Sequence, residues 1–192
     1  MSIETHFSCL DKLYWVADTQ PPQNIQNAFF FNIDNELRYA PFNMDFGPLN
    51  LANVHRYCRE LQKLLNSQAY SGSTRIYHFT KVTNDRVHMT NSAFLVGAFM
   101  LISLHKDSDE VCSILQPYLH LLRAYRDASK GECFYDCTVR HCLEGLEFGL
   151  KKGWYDFSRF NVKEYEHYEK VENGDLNWII PGKFVAFMGP IE

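Results

Sequence analysis

The sequence predicts an α/β domain, and three observations lead there. Short runs rich in aromatic and β-branched residues recur at 12–18 (KLYWVAD), 29–33 (FFFNI) and 75–80 (RIYHFT), flanked by Pro, Gly, Ser, Asn or Asp. Between the second and third, Val54, Cys58, Leu61 and Leu65 fall at i, i+4, i+7 and i+11, one stripe of an amphipathic helix. After the third, residues 90–105 are apolar on every side, which predicts a helix buried at the centre of the fold. Strand, loop and buried helix in succession form a layout that seats phosphate in many α/β enzymes, because a helix N-terminus offers free N–H groups. A chain of 192 residues suffices for one compact domain with a core, plus an appendage.

Taken in order, residues 12–18 form a first strand stopped by Pro21 and Pro22. Residues 29–33 form a second, and Asp34-Asn35 turns the chain into a partner strand at 36–39. Gly47-Pro48 opens the helix of 49–65, with Pro pre-setting the first helical φ. The strand at 75–80 follows the Ser71-Gly72-Ser73 loop, and Thr90 or Asn91 is the candidate N-cap of the buried helix. Residues 107–110 (DSDE) cap a short helix to about Leu115, and the segment 117–130 ends as a loop. Residues 132–151 read as an amphipathic helix with Val139, Leu143, Leu146 and Leu150 on one face and Lys151-Lys152-Gly153 as its stop. The last apolar run, 177–187 (NWIIPGKFVAF), reads as a strand or hairpin turning at Pro181-Gly182.

A net charge of −4 argues against non-specific nucleic-acid binding, which needs a basic surface. The N-terminal stretch has no basic segment leading into an apolar core, and the longest apolar run, 92–104, is shorter than a bilayer demands. The expectation is a protein that is not secreted and not membrane-bound, working in the nucleus or cytoplasm, where its six cysteines stay reduced. Cys133, Cys137 and Cys142 sit beside His141, but their spacing on one helix is not a zinc pattern, so they are read as small apolar residues on a helix face. No metal and no cofactor are expected.

The acidity is local. Residues 163–178 (KEYEHYEKVENGDLNW) carry five carboxylates against two lysines. On a helix, Glu166 and Glu169 lie three apart on one face, and Gly174 is a natural stop. Such a face can hold a lysine or arginine of a partner. A solvated connecting helix would also account for the charge. The interleaved Tyr165, His167, Tyr168 and Trp178 favour a contact surface.

A thiolate nucleophile in a phosphate cradle needs Cys and Arg spaced as H-C-x-x-x-x-x-R. None of the six cysteines has it: the residues six places on are Trp15, Leu64, Tyr118, Val139, Leu143 and Phe148. Yet Tyr77-His78-Phe79-Thr80 occupies the matching place in the strand–loop–helix unit, with Asp85-Arg86 downstream and Phe79 where the nucleophile would stand. No G-x-S-x-G elbow, Walker loop, G-x-G-x-x-G or H-E-x-x-H occurs. His55, His120 and His141 are read as helix-face residues.

The segments FFFNIDNELRYAPFNMDFGPLNLANVHRYC, AFLVGAF, YRDAS and EYEHYEKVENGDLNWIIPGKFVAFMGP resemble the N-terminal domain of the cell-division-cycle-fourteen dual-specificity protein phosphatases, over residues 13–190. The resemblance implies a dual-specificity-phosphatase-like, three-layer α/β fold with a degenerate phosphate loop. It divides the chain into a non-catalytic domain at 1–160, an acidic linker helix at 161–176 and the first strands of a catalytic domain at 177–192. It also implies the abrupt end, because the catalytic domain carrying Cys and Arg would follow Glu192. This chain alone would be inactive. The expected partners are that catalytic domain and phosphoproteins bearing phosphoserine-proline with a distal basic residue. The implied contacts to the basic residue are Glu166, Glu169 and Asp175, with Asp127 of the segment 125–129 (YRDAS). Relatives often read Y-E-N-F where this chain has Tyr39-Ala40-Pro41-Phe42, so one acidic contributor is missing. A stand-alone pseudophosphatase that binds phosphoproteins or a partner without turnover is the alternative, and a regulator-docking domain is another.

Overall fold

A computed structural model describes residues 5–8, 12–70 and 72–189, with 5–8 described as backbone only. Cys9, Ser71 and residues 190–192 therefore lie outside the described residues. The central sheet has the order β1-β2-β4-β3, built from β1 (Thr5–Ser8), β2 (Leu13–Asp18), β3 (Ala28–Phe31) and β4 (Arg75–Lys81). Strand β2 runs antiparallel to β1 and parallel to β4, and β3 is also parallel to β4, with Phe30 opposite Tyr77 and Phe31 opposite His78.

Alternation along β2 and β4 sorts side chains to two faces. Leu13, Trp15, Ala17 and Ile76 point to the main core, while Val16, Tyr77 and Phe79 form a second cluster behind the sheet. The main core is roofed by α1 (Leu51–Asn66), α2 (Val87–Leu104), α3 (Ser108–Leu119) and α4 (Val139–Lys151). Behind the sheet, Tyr77 stacks between Tyr14 and Phe30 at centroid distances of 4.9 and 4.8 Å, with Ile25 packed alongside. The expectation of three layers is thus corrected: among the described residues the helices gather on one face, and an aromatic ladder covers the other.

Fourteen of the 18 residues of α2 are buried, which makes it the axis of the helical layer. By length and composition it could span a bilayer, longer than the 13-residue run read from sequence, yet 78% of it is buried within the protein. Gly97 lets α3 and α4 approach it: a Cβ there would lie 2.9 Å from Leu143 and 3.3 Å from Val111. The cap differs from expectation. Helix α2 starts at Val87 behind Arg86 in the left-handed region (φ 55°). Thr90 and Asn91 lie inside the helix, where Thr90 Oγ1 accepts from the Arg123 N–H and Asn91 Oδ1 accepts from the Tyr125 hydroxyl.

Further corrections have local causes. Residues 36–39 form no strand; the Glu36 and Leu37 N–H groups both donate to the Ile33 carbonyl, closing a turn. Asp34 then ties that turn to β4 by accepting from Thr80 Oγ1 and the Lys81 N–H, each at 2.8 Å. Helix α1 begins after Asn50, two residues beyond Pro48, because the Asn50 side chain caps it. Helix α3 opens on an Asp107/Glu110 capping box and continues through Pro117, past the expected end near Leu115. Pro117 is tolerated near the helix end, where its missing N–H costs one bond. Helix α4 starts only at Val139, because a Thr138/His141 capping box fixes its N-terminus there. Cys133 and Cys137 consequently sit on the preceding loop rather than on a helix face, and Cys137 Sγ lies 3.7 Å from Cys142 Sγ.

Beyond α4 come α5 (Val162–Tyr168), a 3-10 turn at Val171–Asn173 and the hairpin β5 (Leu176–Ile180) with β6 (Phe184–Phe187). Gly174 (φ 112°) ends the 3-10 turn, whereas α5 has already stopped at Tyr168. Gly182 (φ 72°) sits in the hairpin turn as the sequence predicts.

Candidate functional site

The acidic segment folds against α1. Helix α5 is capped by Asn161, whose side chain accepts from the Glu164 N–H, and this turns Glu166 and Glu169 toward α1. Arg56 grips Glu166 with both guanidinium arms, Nη1 to Oε1 and Nη2 to Oε2, the latter at 2.7 Å. That hydrogen-bonded guanidinium holds the Glu166 carboxyl below the usual glutamate range, with Lys170 adding to the effect. Glu169 instead accepts from Asn50 Nδ2 at 2.8 and 2.9 Å. Asn50 does two jobs, because its Oδ1 accepts from the Asn53 N–H and caps α1. Glu169 thereby sits at the positive end of the α1 dipole. Tyr165, pushed up mainly by burial and then by Glu169, lies beside the Glu169 carboxylate.

Asp175 lies in the left-handed region (φ 46°) at the entry to β5, and its N–H folds back onto the Lys170 carbonyl at 3.0 Å. Its backbone therefore returns to the residue next to Glu169. Asp127 lies on a different segment, in the loop at 126–129. It accepts from the hydroxyl and N–H of Ser129, which lowers its carboxyl below the usual range, while Arg126 bridges to Phe46. Among the described residues no hydrogen bond or ion pair joins Asp127 to the other three. What connects them is the segment 43–50: Asn43 Nδ2 donates to the Ala128 carbonyl at one end, and Asn50 holds Glu169 at the other.

Sequence reasoning missed the residues that hold these carboxylates. Arg56 is 110 positions from Glu166 and Asn50 is 119 from Glu169, so no local pattern links them. Asp45 was missed as well. It accepts from the Tyr39 hydroxyl at 2.5 Å, a bond that lowers Asp45 to about 2; Tyr39 itself is pushed up to about 12 by burial and then by Asp45. The aromatic interleaving has a visible consequence. Tyr165, Tyr168 and Trp178 line a cavity of about 370 Å³ between α5, β5 and residues 153–161, while His167 contacts Asn173.

The end of β4 and the start of α2 present N–H groups in the strand–loop–helix unit, and carboxylates of the chain occupy them. Asp34 takes the Lys81 N–H, and Asp85 takes the Val87 N–H at 3.2 Å together with the Thr83 hydroxyl. Those bonds, the Thr83 one first, hold Asp85 below the usual range. Arg86 turns away and donates to the Leu121 carbonyl at 2.8 Å. Phe79 is buried in the cluster behind the sheet, pointing away from the main core. Among the described residues, no group of three or more His, Cys, Asp or Glu is placed to hold a metal ion.

A family model described as "Dual specificity protein phosphatase, N-terminal half" matches residues 8–149. The chain is 47% identical over 185 residues to the human dual specificity protein phosphatase CDC14A, covering 94% of this chain and 30% of that protein. It is 40% identical to mouse dual specificity protein phosphatase CDC14B over 187 residues, 97% of the chain and 38% of the relative. A tyrosine-protein phosphatase CDC14 homolog of Schizosaccharomyces pombe is 32% identical over 188 residues, 95% of this chain and 34% of that one. The chain thus spans about a third of the length of these relatives.

Proposed function

This chain belongs to the family of dual specificity protein phosphatase N-terminal halves, and on that premise we propose that it is the non-catalytic, substrate-recognising half of a protein phosphatase. The observation that carries the reading is the orientation of Glu166 and Glu169, held by Arg56 of α1 and by Asn50 at its N-cap so that both carboxylates stay at the edge of the α1–α5 face. A lysine or arginine downstream of a phosphoserine-proline would be drawn there. Asp175 and Asp127 extend the acidic surface. One exposed contact is worth about 1 kcal/mol at most, so discrimination needs several carboxylates acting together.

The absence of chemistry in this half has its own support. A degenerate phosphate loop explains why the Lys81 and Val87 N–H groups, which an anion would take, are filled by Asp34 and Asp85. A second anion there would meet two carboxylates. Turnover would then come from a following domain, whose thiolate attacks the phosphoryl group and whose phosphocysteine is hydrolysed without metal. The exposed apolar side chains of the hairpin, Phe184 and Phe187 among them, suit packing against that domain, and residues 161–176 would be the linker.

The test is hydrolysis of a phosphoserine-proline peptide with a distal lysine, by this chain alone and by the protein extended through the downstream reading frame. The expected result is turnover by the extended protein only. If neither turns over while this chain binds the peptide, the pseudophosphatase reading replaces it.

A further inference from the structure

On the side of α1 turned toward residues 158–163 lies an open groove of about 610 Å³ whose charge is the reverse of the neighbouring carboxylate face. Arg59 projects from α1 and Arg159 and Lys163 from the facing segment. All three are exposed, and among the described residues none of them makes an ion pair. The other two cations of the groove are already engaged, Arg56 by Glu166 and Lys63 by Glu60. In a chain of net charge −4, three cations outside any ion pair around one depression are a local concentration of positive charge, though Arg159 also lies near enough to Asp156 to help lower its carboxyl. The floor adds an imidazole. His55 packs on Phe157 and Phe160 at centroid distances of 4.6 and 5.4 Å, and its buried Nδ1 has no hydrogen-bond partner.

We infer that this groove binds a phosphorylated residue of a protein substrate, at a position separate from the phosphate that is removed. Arg59 and Arg159 both line the groove, and a guanidinium offers paired N–H donors that match phosphate oxygens, a fit that an ammonium cannot reproduce. The His55 imidazole, whose pKa is depressed first by burial and then by Arg59 and Arg56, lies in the positive field that an anion would relieve. A compact anion suits the site better than a polyanion. Glu60 lines the groove and Glu166 pairs with its Arg56, so a nucleic-acid backbone or a sheet of anionic headgroups would run into carboxylates. The inference rests on the reading of this chain as a substrate-recognising half, and gives that half a second point of contact.

The experiment measures fluorescence anisotropy of a labelled peptide carrying one phosphothreonine, and of its unphosphorylated twin, titrated with this chain. The expected result is tighter binding of the phosphopeptide that weakens with salt and falls roughly tenfold in Arg59→Ala with Arg159→Ala. Lys106→Ala, outside the groove, should bind as the parent does, and Arg59→Lys with Arg159→Lys should fall between parent and double alanine. Circular dichroism of each variant confirms the fold. Equal affinity for both peptides, no loss in the double variant, or tighter binding of a single-stranded oligonucleotide or phosphatidylserine vesicles would overturn the proposal. Glu169→Lys with Asp175→Lys, both outside the groove lining, serves as the separating control: it tests selection of a distal lysine, whereas phosphopeptide binding in the groove should survive it.

Discussion

Arg56 and Glu166 meet across 110 residues in a two-pronged ion pair, and this pair sets how much of the acidic face is free to act. The side chains are 44% and 38% exposed, so water screens the attraction and its contribution to stability is about 0.2–1 kcal/mol. Arg56→Ala should cost that little in urea unfolding while returning the Glu166 carboxyl to its ordinary range, read by carboxyl-carbon NMR. The sign follows from the depressed folded pKa: the pair stabilises above the unfolded glutamate pKa, and the benefit is lost as pH falls through the folded value. An unchanged Glu166 titration would mean that the pair does not persist in solution.

Asn50 carries two bonds that substitution can separate. Asn50→Ala removes both the α1 cap and the donor to Glu169, and should cost about 1–2 kcal/mol. Asn50→Ser keeps a capping oxygen and loses the donor to Glu169, so it should cost less than half as much. Chemical denaturation of the two variants decides; equal costs would show that the Glu169 contact, not the cap, dominates.

Gly97 tests the packing of α2. In Gly97→Val the new side chain meets Leu143 and Val111 in a core already filled, and overpacking should destabilise the domain by about 1–3 kcal/mol. Thermal unfolding measures the loss. A variant as stable as the parent would mean that α3 and α4 can retreat from α2 without cost.

His78 predicts an acid sensitivity. Its ring is fully buried, its Nδ1 lies 2.9 Å from the Tyr57 hydroxyl, and burial lowers its pKa to about 4. An unfolded histidine titrates near 6.5, so between the two values the unfolded chain binds the extra proton. Stability is full above pH ~6.5 and declines as pH falls toward about 4, by about 3 kcal/mol from this residue. Imidazole NMR should show one ring, absent in His78→Phe, that stays neutral down to pH 5. A midpoint near 6.5 would contradict the buried placement.

How much of this was legible in the sequence depended on range. Periodicity located α1 and the buried α2, because the stripe through Val54, Cys58 and Leu61 and the uninterrupted apolar run at 93–102 are local patterns. The Pro181-Gly182 turn was equally readable, since those residues admit few alternatives. The turn at 33–37 was misread as a hairpin because what fixes it is Asp34 bonding to Lys81, 47 residues away. Helix α4 was started too early because the capping strength of Thr138 outweighs the weaker signals at 132–137. For the candidate site, the clustering of carboxylates in 163–178 was visible, and the partners that orient them were not: Arg56 and Asn50 are reached only through the fold.

The most direct measurement is kcat/KM for paired phosphoserine-proline peptides, one with a distal lysine and one with alanine there, using the protein extended through its downstream domain. In the parent the lysine peptide should be preferred. In Glu166→Lys with Glu169→Lys the preference should fall by roughly tenfold, as expected when two contacts of up to about 1 kcal/mol each are replaced by repulsion. A preference unchanged by the double substitution would contradict the assignment of this acidic face to substrate recognition.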